Sequence, residues 1–167
     1  MTDEVKDPAS VEKYLAQLAK KVADSAVLAT WPRDVETFAV LWVDDDPINN
    51  QFESGILRNL GASVSFVRST KDAISELAKG HFDVLISDIR RREDGDEKPE
   101  AGYDLLHQIR ESGNTIPVIF YSTGNPNSKR MGTAYGFATT PSRLVNLVQR
   151  ALGRKQICVE CPKAYDM

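Results

Sequence analysis

From residue 37 onward, short apolar runs alternate with stretches of helical periodicity. Phe38-Ala39-Val40-Leu41-Trp42-Val43 is an almost unbroken apolar run that stops at three Asp. Such a run suits a strand covered on both faces. Ile48, Phe52, Ile56, Leu57 and Leu60 then share one side of a helix predicted over Pro47 to Leu60, with Gly61 closing it. Ser63 to Val67 alternates as a second strand. Thr70 to Ala78 reads as a helix capped by Ser69 or Thr70 and ended by Gly80. Phe82 to Ser87 is a third strand, Gly102 to Glu111 a helix, and Ile116 to Tyr121 a fourth strand. A short helix is expected near Asn127 to Met131, and a short fifth strand over Tyr135 to Ala138. Pro141 to Leu152 carries Leu144, Val145, Leu147, Val148 and Leu152 on a final helix that ends at Gly153. Strands that alternate with helices predict an α/β fold with a doubly wound, five-stranded parallel sheet and right-handed crossovers.

The chain outside that alternation divides into two pieces. Residues 1–36 read as an N-terminal helical extension. Asp7 is the expected cap and Pro8 the first helical residue, and Val11, Leu15, Leu18, Val22 and Ala26 form an apolar stripe that ends at Trp31-Pro32. That stripe should pack on the domain that follows or on a second copy. Residues 154–167 read as a C-terminal tail. Within the 37–153 domain, the loop from Ile89 to Ala101 is crowded with charge and lacks an apolar anchor, so it is expected to be exposed and mobile.

Composition narrows the function. The 167 residues carry 21 Lys+Arg and 24 Asp+Glu, a formal charge of −3, which argues against broad binding to nucleic acid. No apolar run has the length of a membrane helix, and the acidic start, MTDEVKDPAS, does not resemble a secretory signal. The two Cys, Cys158 and Cys161, are too close together to staple the fold, and a reducing cytoplasmic setting is expected. With only His81 and His107 to join them, a zinc site within the chain is disfavoured.

The candidate chemistry lies at strand ends. The first strand runs into Asp44-Asp45-Asp46 and the third into Asp88. Ligands of open parallel sheets bind beyond the carboxyl ends of the strands. If those two strands are neighbours, Asp44, Asp45 and Asp88 share one crevice. Their mutual repulsion would be relieved by a hard cation such as Mg²⁺, which takes carboxylate oxygens and keeps several waters or phosphate oxygens. Asp46, before Pro47, reads instead as a helix cap.

From Phe38 to Gly153 the chain resembles the receiver domain of bacterial two-component response regulators. The resemblance rests on Val43-Asp44-Asp45-Asp46-Pro47, Asp88-Ile89, Gly102-Tyr103-Asp104-Leu105-Leu106 and Ile116-Pro117-Val118-Ile119 leading to Ser122, in that order. It implies a flavodoxin-like sheet of order 2-1-3-4-5. It implies Asp88 as phosphoacceptor, with Mg²⁺ held by Asp45, Asp88 and the carbonyl of Arg90, and by Asp44 partly through water. It makes Ser122 the hydroxyl that contacts the phosphoryl group and Phe137 the aromatic switch residue. The family's Lys before the last helix is replaced by Thr140, and a cis bond is expected at Thr140–Pro141.

These features lead to a phosphorylation-responsive signalling protein, not an enzyme. Its partners would be a histidine kinase or phosphotransfer protein and a downstream protein, with homodimerisation a further option. Thr140 and the long loop after Asp88 keep open a pseudo-receiver, an interaction module that phosphorylation does not control. A Mg²⁺-dependent phosphohydrolase is disfavoured, because Arg90 stands where an acid/base partner would follow the nucleophile by two residues.

Overall fold

The computed structural model describes residues 37–153 together with 16, 17 and 21. The other expectations for the N-terminal extension, and those for the tail with Cys158 and Cys161, lie outside the described residues. The elements run β1 (Phe38–Val43), a 3₁₀ turn (Pro47–Asn50), α1 (Gln51–Asn59), β2 (Ala62–Val67), α2 (Thr70–Lys79) and β3 (Val84–Ser87). A hairpin of β4 (Arg91–Glu93) and β5 (Asp96–Lys98) follows, then α3 (Ala101–Glu111), β6 (Val118–Tyr121), β7 (Gly136–Ala138) and α4 (Pro141–Ala151).

Five strands pair in parallel in the order β2-β1-β3-β6-β7. The alternation along β1 explains why its apolar run is continuous. Phe38, Val40 and Trp42 face a core built with Leu57 of α1 and Leu144, Val145 and Val148 of α4. Leu41 and Val43 face the opposite core, with Ala73 of α2 and Leu105, Leu106 and Ile109 of α3. Helices therefore cover both faces of the sheet. Helix starts and stops follow local chemistry. The Ser69 hydroxyl accepts from Asp72 N–H at the start of α2, and Gly61 takes a left-handed φ of 97° just after α1.

Four sequence-level expectations change, the first being the helix over Pro47 to Leu60, which opens as a 3₁₀ turn with Ile48 69% exposed instead of on the apolar side. The helix expected near Asn127–Met131 is a hydrogen-bonded turn, so the β6–β7 connection has no helix. The loop after Asp88, expected exposed and mobile, folds into the β4–β5 hairpin. Asp94 (φ 54°) and Gly95 (φ 86°) occupy the two-residue turn between Glu93 and Asp96, the left-handed pair that a type I′ hairpin requires. The Thr140–Pro141 bond is trans, since no described peptide is cis. Thr140 is extended and caps α4, its hydroxyl accepting from Arg143 N–H at 3.3 Å, a role that a trans Pro at the first helical position suits.

Candidate functional site

Strand register brings the acids together. Val43 of β1 lies opposite Ser87 of β3, and Asp88 N–H donates to the Val43 carbonyl at 3.0 Å. The next residues, Asp44 and Asp88, therefore leave adjacent strand ends side by side. One carboxylate oxygen from each of Asp44, Asp45 and Asp88 lies within 4.8 Å of the others. That hard, all-oxygen donor set fits Mg²⁺.

Each acid is held by its neighbours. Asp44 is 7% exposed. It accepts from Asp46 N–H at 2.8 Å and from the side-chain amide of Asn50. Asp45 accepts from the Arg92 main-chain N–H at 2.9 Å. Asp88 accepts from Ile89 N–H at 2.7 Å, and the Ser122 side chain beside it favours the ionised carboxylate. Asp46 does stand at the cap position of the 3₁₀ turn, but its carboxylate accepts from the Asn49 side chain instead of a free backbone N–H. Of the other residues singled out in the sequence, Phe137 is half-buried against the α2–α3 core, and Thr140 is turned to its own helix. His107 sits on an exposed helix face beside Glu111.

The residues that sequence reasoning missed are Asn50, Thr70 and Glu93. Arg91 is 1% exposed and forms a buried ion pair with Glu93 at 2.9 Å. The Asp94-Gly95 dipeptide was the available signal for the turn that brings them in.

Burial pushes the Asp44 carboxyl up from its ordinary 3.8 to about 6, the hydrogen bonds from Asp46 and Asn50 only partly opposing it. Burial also raises Asp88. A carboxyl raised on folding costs stability where it is ionised. For Asp44 that cost is full above pH 6 and fades as pH falls from about 6 towards 3.8. In metal-free buffer, Asp44→Asn should therefore be more stable than wild type at pH 7.5, by about 1–3 kcal/mol. The gap should close near pH 4, as measured by urea denaturation at each pH. A pH-independent gap would contradict the assignment. If Mg²⁺ binds among these three acids, its affinity should fall over the same window, because protonating Asp44 removes negative charge from the cluster.

Comparison with known proteins places this geometry. Residues 40–138, more than half of the chain, match the response regulator receiver domain family model. Over 87 residues, 52% of the chain, the sequence is 34% identical to the sensor histidine kinase RcsC of Escherichia coli K12. The match spans only 8% of that protein's length. A two-component response regulator from Clostridium difficile superposes with a TM-score of 0.59 at 23% identity, over 71% of this chain and 98% of that one. The receiver domain of sensor histidine kinase PA1611 from Pseudomonas aeruginosa, solved with magnesium in its active-site cleft, superposes with a TM-score of 0.56 at 22% identity, over 71% of this chain and 99% of that one. The two structures share the fold. With the family match over the very strands that carry Asp44, Asp45, Asp88 and Ser122, the chain belongs to the response regulator receiver domain family of two-component signalling.

Proposed function

We propose that this receiver accepts a phosphoryl group on Asp88 and signals through its protein surfaces. The observation that carries the reading is the meeting of three carboxylates at two adjacent strand ends, with Ser122 beside Asp88. Asp44, Asp45, Asp88 and the main-chain carbonyl of Arg90 would hold Mg²⁺. When bound, that ion would neutralise charge on the acid pocket and on the incoming phosphoryl group. An Asp88 carboxylate oxygen attacks phosphorus, an acyl phosphate forms, and the donor leaves with the electrons of its broken bond to phosphorus. The Ser122 hydroxyl would contact a phosphoryl oxygen. The likeness to sensor histidine kinases, one with magnesium in its cleft, supports a histidine kinase or phosphotransfer protein as donor. Among the described residues no helix is long and apolar enough to cross a membrane.

Incubation with Mg²⁺ and a small acyl phosphate should add one phosphoryl mass to the intact protein. Asp88→Asn and metal chelation should each abolish the addition. An unmodified wild type would refute the reading. The geometry of Thr140 favours a second one, an interaction module that phosphorylation does not control. Its neutral hydroxyl caps α4 and offers no charge to a phosphoryl group. Phosphorylation that leaves self-association and partner binding unchanged would select that second reading.

A further inference from the structure

Arg91 is anchored at four points. Its Nε donates to Glu93 Oε1 at 2.9 Å, its Nη1 to Ser87 Oγ at 2.6 Å and to the Asp88 carbonyl at 2.7 Å, and its Nη2 to Thr70 Oγ1 at 2.8 Å. Glu93 Oε1 in turn accepts from the Thr70 N–H and hydroxyl at 2.9 and 3.0 Å. One buried ion pair thus ties the hairpin to the start of α2 and to the end of β3. The next residue, Arg92, gives its main-chain N–H to the Asp45 carboxylate.

This arrangement has a consequence for both Asp45 and Asp88. Desolvating an Arg–Glu pair offsets much of its own attraction, so stability alone does not account for it. What the pair does is fix geometry. A planar guanidinium fork holds several acceptors in one orientation, which an ammonium does not. Here the fork grips the main chain at Asp88 and sets the position of the Arg92 N–H on Asp45. Its charge is paired with Glu93, and four of its five N–H donors go to Glu93, Ser87, Asp88 and Thr70.

We infer that Arg91 is a positioning residue for the metal site. Through the β4–β5 hairpin it holds Asp45 and the Asp88 main chain in the orientation that binds a divalent cation. The inference rests on reading the acid pocket as the Mg²⁺ site. Groups that orient metal ligands typically contribute about 10–100-fold to affinity.

The probe is Mg²⁺ alone, titrated calorimetrically into the full chain. Arg91→Lys keeps the charge and loses the fork, and should weaken Mg²⁺ binding about tenfold. The phosphorylation rate with a small acyl phosphate should fall at low Mg²⁺ and recover at saturating Mg²⁺. A role confined to stability would leave the Mg²⁺ dependence of that rate unmoved. Arg92→Ala retains the N–H and should bind within twofold of wild type, whereas Arg92→Pro removes the N–H and should bind like Arg91→Lys. If Arg91→Lys does not fold, the Arg92 pair carries the test. Wild-type affinity in folded Arg91→Lys, or equal affinities for the two Arg92 variants, would overturn the assignment while the Mg²⁺ site stands. No Mg²⁺ binding by the wild type would overturn the site and the assignment together.

Discussion

Gly102→Ala is expected to destabilise the fold by about 3 kcal/mol and to displace the main chain that carries Asp88. A Cβ at Gly102 would lie 2.6 Å from the Asp88 carbonyl oxygen, 2.8 Å from the Ile89 Cα and 3.1 Å from the Phe120 ring. The first two are backbone atoms and cannot swing aside as a side chain would. The Asp88 carbonyl is also pinned by the Ser87 hydroxyl and by Arg91, and Gly102 N–H donates to the Ile89 carbonyl at 2.9 Å. Relief would require moving α3 away or shifting the main chain that carries Asp88. Glycine is present here for close approach. Gly55 in α1 is the control, since a Cβ there meets nothing within 4 Å. Gly55→Ala should stabilise by about 0.5–1 kcal/mol through helix propensity. Urea denaturation of both variants checks the pair, and a Gly102→Ala protein as stable as wild type would refute the packing argument.

Features set by apolar pattern were legible in the sequence. Strands β1, β3 and β6 carry apolar runs because helices cover both faces, β2 alternates at the sheet edge, and strand ends rich in acid are visible as text. Strand order is not written in any local pattern and came from family resemblance. The β4–β5 hairpin was hidden because every residue of its strands is charged. Arg91-Arg92-Glu93 and Asp96-Glu97-Lys98 show no apolar alternation, yet Arg91 and Glu93 face inward on alternate positions of β4. Burial of a residue pair by mutual charge and hydrogen bonding leaves no hydrophobic signature. Asn50 was missed for a related reason. It reaches Asp44 only because the 3₁₀ turn brings a residue six positions on back to the strand end. The expected helix at Asn127–Met131 rested on little apolar periodicity, and the chain there closes a turn instead.

Lys21→Ala should cost about 3 kcal/mol, out of proportion to a partly exposed lysine, because of what it leaves behind. Its ammonium sits 2.6 Å from Glu53 Oε1, and the Glu53 side chain on α1 is 1% exposed. The same oxygen accepts from the Tyr121 hydroxyl at 2.6 Å, and among the described residues Oε2 accepts no hydrogen bond. Without Lys21, a nearly inaccessible carboxylate keeps one neutral donor and loses its counter-charge. Glu53→Gln keeps an acceptor for Tyr121 and removes the charge that needs compensation. In that background Lys21→Ala should cost under about 0.5 kcal/mol, so the two changes should be strongly non-additive. Tyr121 directly precedes Ser122, which lies beside Asp88, so the pair sits close to the acid cluster. A double-mutant cycle by urea denaturation measures the coupling. Equal costs for Lys21→Ala in the two backgrounds would show that Glu53 is not what Lys21 compensates, and would remove the tie between residue 21 of the N-terminal segment and the receiver core.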